Sequence, residues 1–336
     1  MAISNFQTPH LKRFIVPNRL FLFTGFLLPV AGAMAQDVHF AQVQDMNIWN
    51  NPALKTNKIP VVRANMRSVK YQGITAYTSK AASIELPLIG VDKDPRDDIS
   101  FMNLAVGINA DNASGGTVNV STAMMAFSYA LPLNDDNTWL AAGFQATYTF
   151  SRVEYNAYSS FPSRMDENGP IGAALLADPN QSGNTYGYLT AGAGTAIFHT
   201  GEKRQWYFGG SVRHINQPFT DPDQKEAYRL PMNRGIQAGY SAAITNEDAL
   251  GGYASFSWQG RIYEHIIGTR YTRDLGDSAN STLFLGVGYR IGDALIPGIG
   301  FSTGSSRFAF SYEFAISGTA SSYNRRSFEF SYALSL

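Results

Sequence analysis

Cysteine is absent from the 336 residues, which excludes a disulfide framework, a thiolate metal site and a lipoprotein anchor. Charge is scarce: 15% of residues are charged, against about a quarter in an average soluble domain. Beyond residue 30 no apolar run approaches the roughly 20 residues of a membrane-spanning helix. Without Lys12, Arg13 and Arg19 the formal charge moves from +0 to −3, a balance that argues against a nucleic-acid partner. Histidine is rare. Of His10, His39, His199, His214 and His265 no two have the spacing of a zinc-binding pair. The acidic stretch 92–98 lacks the regular oxygen-ligand spacing of a calcium loop. No serine stands out beside a histidine and an acid as a hydrolase triad would require.

What the chain has in plenty is aromatic residues, 13%, and glycine, 31 in all. They are arranged with period two. In the final stretch Phe308, Phe310, Tyr312, Phe314 and Ile316 alternate with Ala309, Ser311, Glu313 and Ala315. After a turn over 318–324, Phe328, Phe330, Tyr332, Leu334 and Leu336 alternate with Ser327, Glu329, Ser331, Ala333 and Ser335. Side chains on a strand point to opposite faces in turn, so each segment carries one greasy and one small or charged face. A soluble sandwich alternates too, but charges in mid-strand and dense aromatics on the other face favour a strand crossing a bilayer. The slightly negative mean hydropathy, −0.15, agrees, because half the strand positions of a barrel face water or the lumen.

The expected organisation has three parts. Residues 1–35 read as a secretion signal, with a basic region, an apolar core over 20–30 and an Ala33-Met34-Ala35 site that would be cut between Ala35 and Gln36. Residues 36–60 show no alternation and read as an arm or plug. Residues 61–336 read as an all-β, transmembrane antiparallel barrel of about 14 strands. The expected strands are 61–70, 76–86, 101–109, 118–131, 138–152, 186–198, 204–213, 234–244, 252–259, 262–273, 281–290, 293–303, 306–317 and 325–335. Weak alternation in 186–198 and 262–273 leaves 12 strands open. Inward glycines beside a large Phe, as in Phe284, Gly286 and Gly288, suit a tapering interior. Long connections fall at 92–98, 156–184 and 216–233, the middle one with a short helix expected over 171–177.

No catalytic, cofactor or metal residue is expected. Gly192-Ala-Gly194 is too short for a phosphate loop, and Asn112-Ala-Ser114 means little in a bacterial barrel. Charges read as inward, Arg152, Glu154, Arg213, Glu313 and Glu329, either line a conduit or pair with one another.

The order of short motifs resembles the PorP/SprF family of type IX secretion outer-membrane proteins. The resemblance begins at Asp37, His39 and Phe40, continues through Asn51, Pro52 and Ala53, and passes through Gly210 to His214 with Gln217 and Pro218. It then runs to Gly239 and Tyr240, to Tyr289 and Arg290 with Pro297, and to Ser311 and Tyr312 before Glu313, covering residues 37–336. Two positions depart from the usual pattern: Glu313 stands where the family often has Asp, and Lys55 follows the N-P-A motif closely where a glycine is usual. The resemblance implies a barrel of the size read above and a role in exporting or retaining surface proteins through their C-terminal domains. It also implies, as partners, secretion-machinery components and membrane lipid. A porin or hydrophobic-solute channel is the alternative.

Overall fold

The computed structural model describes residues 40–71, 74–88, 100–113, 118–134, 137–153, 165–166, 169–170, 185–220, 229–276, 280–318 and 324–336. The sites at Ala35 and Gln36, His39, Glu154 and the short helix expected over 171–177 lie outside them.

Among the described residues sixteen strands are formed: β1 (Val61–Tyr71), β2 (Ile74–Leu88), β3 (Phe101–Ala113), β4 (Val118–Asn134), β5 (Thr138–Val153), β6 (Met165–Asp166), β7 (Gly169–Pro170), β8 (Thr185–Thr200), β9 (Arg204–Arg213), β10 (Asn233–Ala243), β11 (Asp248–Gln259), β12 (Ile262–Asp274), β13 (Thr282–Arg290), β14 (Ala294–Thr303), β15 (Ser306–Ala315) and β16 (Arg326–Ser335). Strands β6 and β7 make a separate two-stranded ribbon, which carried no alternation to betray it. The other fourteen close into one antiparallel barrel, sealed by β1 against β16 from Val61↔Ser335 to Lys70↔Arg326. Closure leaves no unpaired sheet edge, which is what lets strands cross a hydrocarbon layer. The weakly alternating segments are both full staves, so the count is fourteen rather than twelve.

The face assignment follows the alternation. Phe310 is 45% exposed and Phe144 68%, while Ser327 and Glu329 are 0% and 1%. In a soluble sandwich the large aromatics would be the buried set, so these values place them toward lipid. Arg152 corrects the reading above. It shares the outward register of Tyr148 and Phe150 and is exposed, standing past the end of the apolar band rather than in the lumen.

Aromatic side chains ring the wall near both ends, as in a bilayer-spanning barrel. His199 stacks on Trp206 and Phe308 packs on Tyr332 near the end that carries the termini. Phe256, Trp258, Tyr263 and His265 cluster at the other. His199 and His265 thus belong to these belts, and His214 sits in a turn with φ 55°.

With an even strand number both chain ends of the barrel lie together. The two longest connections, 154–184 and 214–232, leave from the opposite end. Short turns with the termini on the periplasmic side, and long loops outside, orient such barrels. The terminus end therefore faces the periplasm.

Pro297 lies inside β14, where a ladder N–H is lost. The pairing of β14 with β15 skips Ile296 and Pro297, passing from Leu295↔Phe314 to Gly298↔Ser311. The ladder thus tolerates the proline through a local gap in pairing.

Candidate functional site: an arm seated in the lumen

The segment before β1 turns into the barrel. A 3-10 turn (Val43–Met46) continues as the single-turn helix α1 (Asn47–Asn50). Phe40, Met46, Ile48 and Trp49 are buried against Ala81, Ala105, Met124 and Ala126 of the wall. Further on, Ala53 and Leu54 pack on Phe101, Trp139 and Phe198 nearer the periplasmic mouth. An arm this apolar is unstable in water, and the lumen supplies the surface it lacks.

Room for it comes from glycines. A Cβ at Gly107 would meet Trp49 Cζ2 at 2.7 Å, and one at Gly143 would meet the Pro52 carbonyl carbon at 2.9 Å. A Cβ at Gly194 would overlap the Asn51 side-chain oxygen, and one at Gly209 would meet Asn51 Nδ2 at 2.8 Å. Gly194 was noted above only as part of a too-short phosphate loop; its use is to admit Asn51.

Asn51 is the pivot. Its Nδ2 donates toward Thr195 O and Gly210 O, each at 3.2 Å, and Gln237 Oε1 at 3.3 Å. Its Oδ1 accepts from Ala53 N at 3.0 Å. One amide thus ties the arm to β8, β9 and β10, while Pro52 and Ala53 fill the space at Gly143 and Gly194.

Three carboxylates complete the seat. Asp45 accepts from Arg307 Nη1 at 2.7 Å and from Ser331 Oγ at 3.0 Å, with Arg63 Nη1 at 3.7 Å. Burial alone would raise this carboxyl, but Arg307, Arg63 and Arg270 outweigh it and lower it to about 2, so Asp45 stays charged. Glu85 binds Arg63 Nε at 2.9 Å and Lys55 Nζ at 3.1 Å. Glu329 accepts the backbone N–H groups of Ala41 at 2.5 Å and Gln42 at 3.1 Å.

Above the arm, Arg67, Glu313, Arg290, Asp293 and Arg325 form a second ionic chain. Of the charges expected inward, Glu313 and Glu329 are thus engaged in pairing and arm-holding rather than lining a free conduit. Arg213 lines a polar cavity of about 70 Å³ on the outer side of the arm. On the periplasmic side a larger cavity of about 340 Å³ remains.

The motif positions divide. Phe40, Asn51, Pro52 and Ala53 are all buried in the lumen, and Arg290 and Ser311 face it. Gly239 lies under the Tyr207 ring, where a Cβ would clash. Tyr240 is exposed on the outer wall, where Tyr289 and Tyr312 are half-buried. Gln217 and Pro218 sit in an outer loop, with Gln217 at φ 41° and Pro218 O accepting from Leu230 N. Asp45 and the arm-facing glycines Gly107, Gly143 and Gly209 gave no sequence signal. Nothing local marks a residue whose partner is distant in the chain.

A direct test of the seat is Gly194→Val. The added carbons occupy the place of Asn51 and Pro52, at an overpacking cost of about 1–3 kcal/mol. The arm should loosen, read as new protease cleavage between residues 40 and 54 while the barrel stays intact.

Comparison with known families matches residues 33–334 to a family described as "Type IX secretion system membrane protein PorP/SprF". Comparison with curated proteins finds no match. Among solved structures the barrel is similar to the Ralstonia pickettii toluene transporter TbuX, with TM-score 0.51 and 11% identity over 92% of this chain and 98% of that one. It is also similar to a deltaS2 mutant of the TodX monoaromatic hydrocarbon channel, with TM-score 0.51 and 8% identity over 87% and 94%. At such identities the likeness is one of fold.

Proposed function

We propose, on the premise that this chain belongs to the PorP/SprF family of type IX secretion system membrane proteins, that it docks or retains secreted proteins at the cell surface. Membership and fold make it an integral outer-membrane barrel with partners among the type IX machinery. Neither the family nor the fold is that of a known enzyme. The finer reading assigns the outer loops, 156–184 above all, to the C-terminal domains of exported proteins, and the arm to closing the lumen. The motif positions of the arm, Asn51, Pro52 and Ala53, serve that closure, and Phe40 packs with Trp49 in the neighbouring cluster.

The observation that carries this reading is the seated arm. A conduit needs a continuous path, and here Asn51, Asp45 and Glu329 hold a folded segment across it. A hydrophobic-solute channel would in addition need apolar walls along its route. The cavities on the outer and periplasmic sides of the arm instead carry Gln145, Thr147, Ser211, Gln237, Arg270 and Arg307 among apolar neighbours such as Met46 and Trp49.

Deletion of residues 37–50 separates the readings. The barrel should still run faster unheated than boiled on a denaturing gel, while surface display of the exported partner falls. Planar-bilayer recordings of the intact protein should show no large steady conductance. A large conductance from intact protein, with display unaffected by the deletion, would establish the channel instead.

A further inference from the structure

The cavity on the periplasmic side of the arm is bordered by Gln44, Gln205, Tyr207, Arg270, Thr272 and Arg307. We propose that it is a binding site for a carboxylate carried by an acidic peptide segment that enters from the periplasm.

The argument begins with charge. Arg270 on β12 and Arg307 on β15 share the Phe284 ring, their guanidinium carbons 5.0 and 4.7 Å from its centroid. Arg307 gives one nitrogen to Asp45, but its Nη2 is buried with no hydrogen-bond partner among the described residues. Arg270 has the ring as its contact and no ion pair with any described carboxylate. Lys55, Arg63, Arg270 and Arg307 converge on this end of the lumen, against Asp45 and Glu85. Among the described residues these four cations outnumber the two carboxylates, and Asp45, already held by Arg307, attracts Arg270 only without a direct ion pair. A guanidinium without a close carboxylate in a confined polar space is costly unless an anion reaches it.

The form of the ligand follows from the setting. Asp45 shows the chemistry the arginines accept, a carboxylate presented by an irregular stretch of chain. About 340 Å³ falls within the roughly 300–1,000 Å³ of sites that hold organic ligands and exceeds what one inorganic ion fills. The Thr272 hydroxyl and the Gln205 amide add hydrogen-bonding groups suited to a peptide backbone beside its charge. Thr272 is near the periplasmic end of β12 and Gln205 near that of β9, so the approach is from that side. The proposal depends on this orientation and not on what the outer loops bind.

The test uses full-length protein extracted from outer membranes into detergent, titrated with three probes by thermophoresis. They are acetyl-Ala-Glu-Ala-amide, the same peptide with Gln in place of Glu, and inorganic phosphate. The Glu peptide should bind about tenfold or more tightly than the Gln peptide, the size of one charge-assisted hydrogen bond. Arg270→Gln should abolish the preference and Arg270→Lys should keep part of it, with each variant's heat-modifiable gel band reporting its fold. Because the Glu-versus-Gln contrast is read on unaltered protein, the result stands even where a variant fails to fold. Equal binding of the two peptides, absence of binding by either, phosphate binding without the Glu peptide, or a preference that survives Arg270→Gln would each overturn the proposal.

Discussion

Replacing Glu313 by Ala should cost about 3–5 kcal/mol of barrel stability, the expense of breaking a buried ion pair from one side. Glu313 is 2% exposed. Its Oε1 lies 2.9 Å from Arg67 Nη2, and its Oε2 accepts from Arg290 Nη1 at 2.9 Å. One acid therefore bridges two guanidiniums that are themselves 3% and 7% exposed. Removing it leaves Arg290 with Asp293 and Glu264 but takes the bridging carboxylate from between Arg290 and Arg67, where little water enters. Glu313→Gln keeps hydrogen-bond acceptance without the charge and should recover part of the loss. The measurement is the urea midpoint at which the unheated gel band collapses onto the boiled one. An Ala variant with an unshifted midpoint would mean that the pairing contributes nothing to the fold.

Phe310→Arg should cost about 2–4 kcal/mol, the depth-dependent penalty for an arginine on the lipid face near the midplane. Phe310 sits mid-way along β15, opposite Phe330 and Ile299 on the neighbouring staves. The phenylalanine leaves a hydrocarbon contact, and the guanidinium has no water or partner at that depth. Refolding into lipid vesicles gives the measurement, with Tyr332→Arg as the comparison. Tyr332, nearer the periplasmic end of β16, should tolerate arginine better, because the side chain reaches the headgroup layer. Equal penalties at the two sites would show that the apolar band is misplaced.

How much of this was legible before the structure depends on which residues carry it. The wall was legible because a barrel strand writes its two environments directly into odd and even positions, as Phe328, Phe330, Ser327 and Glu329 do. At Arg152 the parity held and the expectation that a charge faces inward failed, since a strand that outruns the bilayer keeps its register after the lipid has ended. That residues 36–60 lack alternation identified the arm as something other than a stave. Its seat was not legible. Asn51 meets Thr195, Gly210 and Gln237, and no local rule links positions so far apart. The glycines that admit it look like any others in a glycine-rich chain. The inward charges were legible as candidates for pairing, but which carboxylate met which guanidinium depended on the barrel's stagger.

The position of Glu329 bears on how such a molecule is put together. β16 carries the closing hydrogen bonds to β1 and also the carboxylate that receives the arm's amides. The strand that closes the seam is thus also the one that grips the first described segment of the chain. Zipping the seam creates the acceptor for Ala41 and Gln42, and a bound arm in turn holds β16 beside β1. Seam and arm are therefore coupled through one strand, so that loosening either weakens the other.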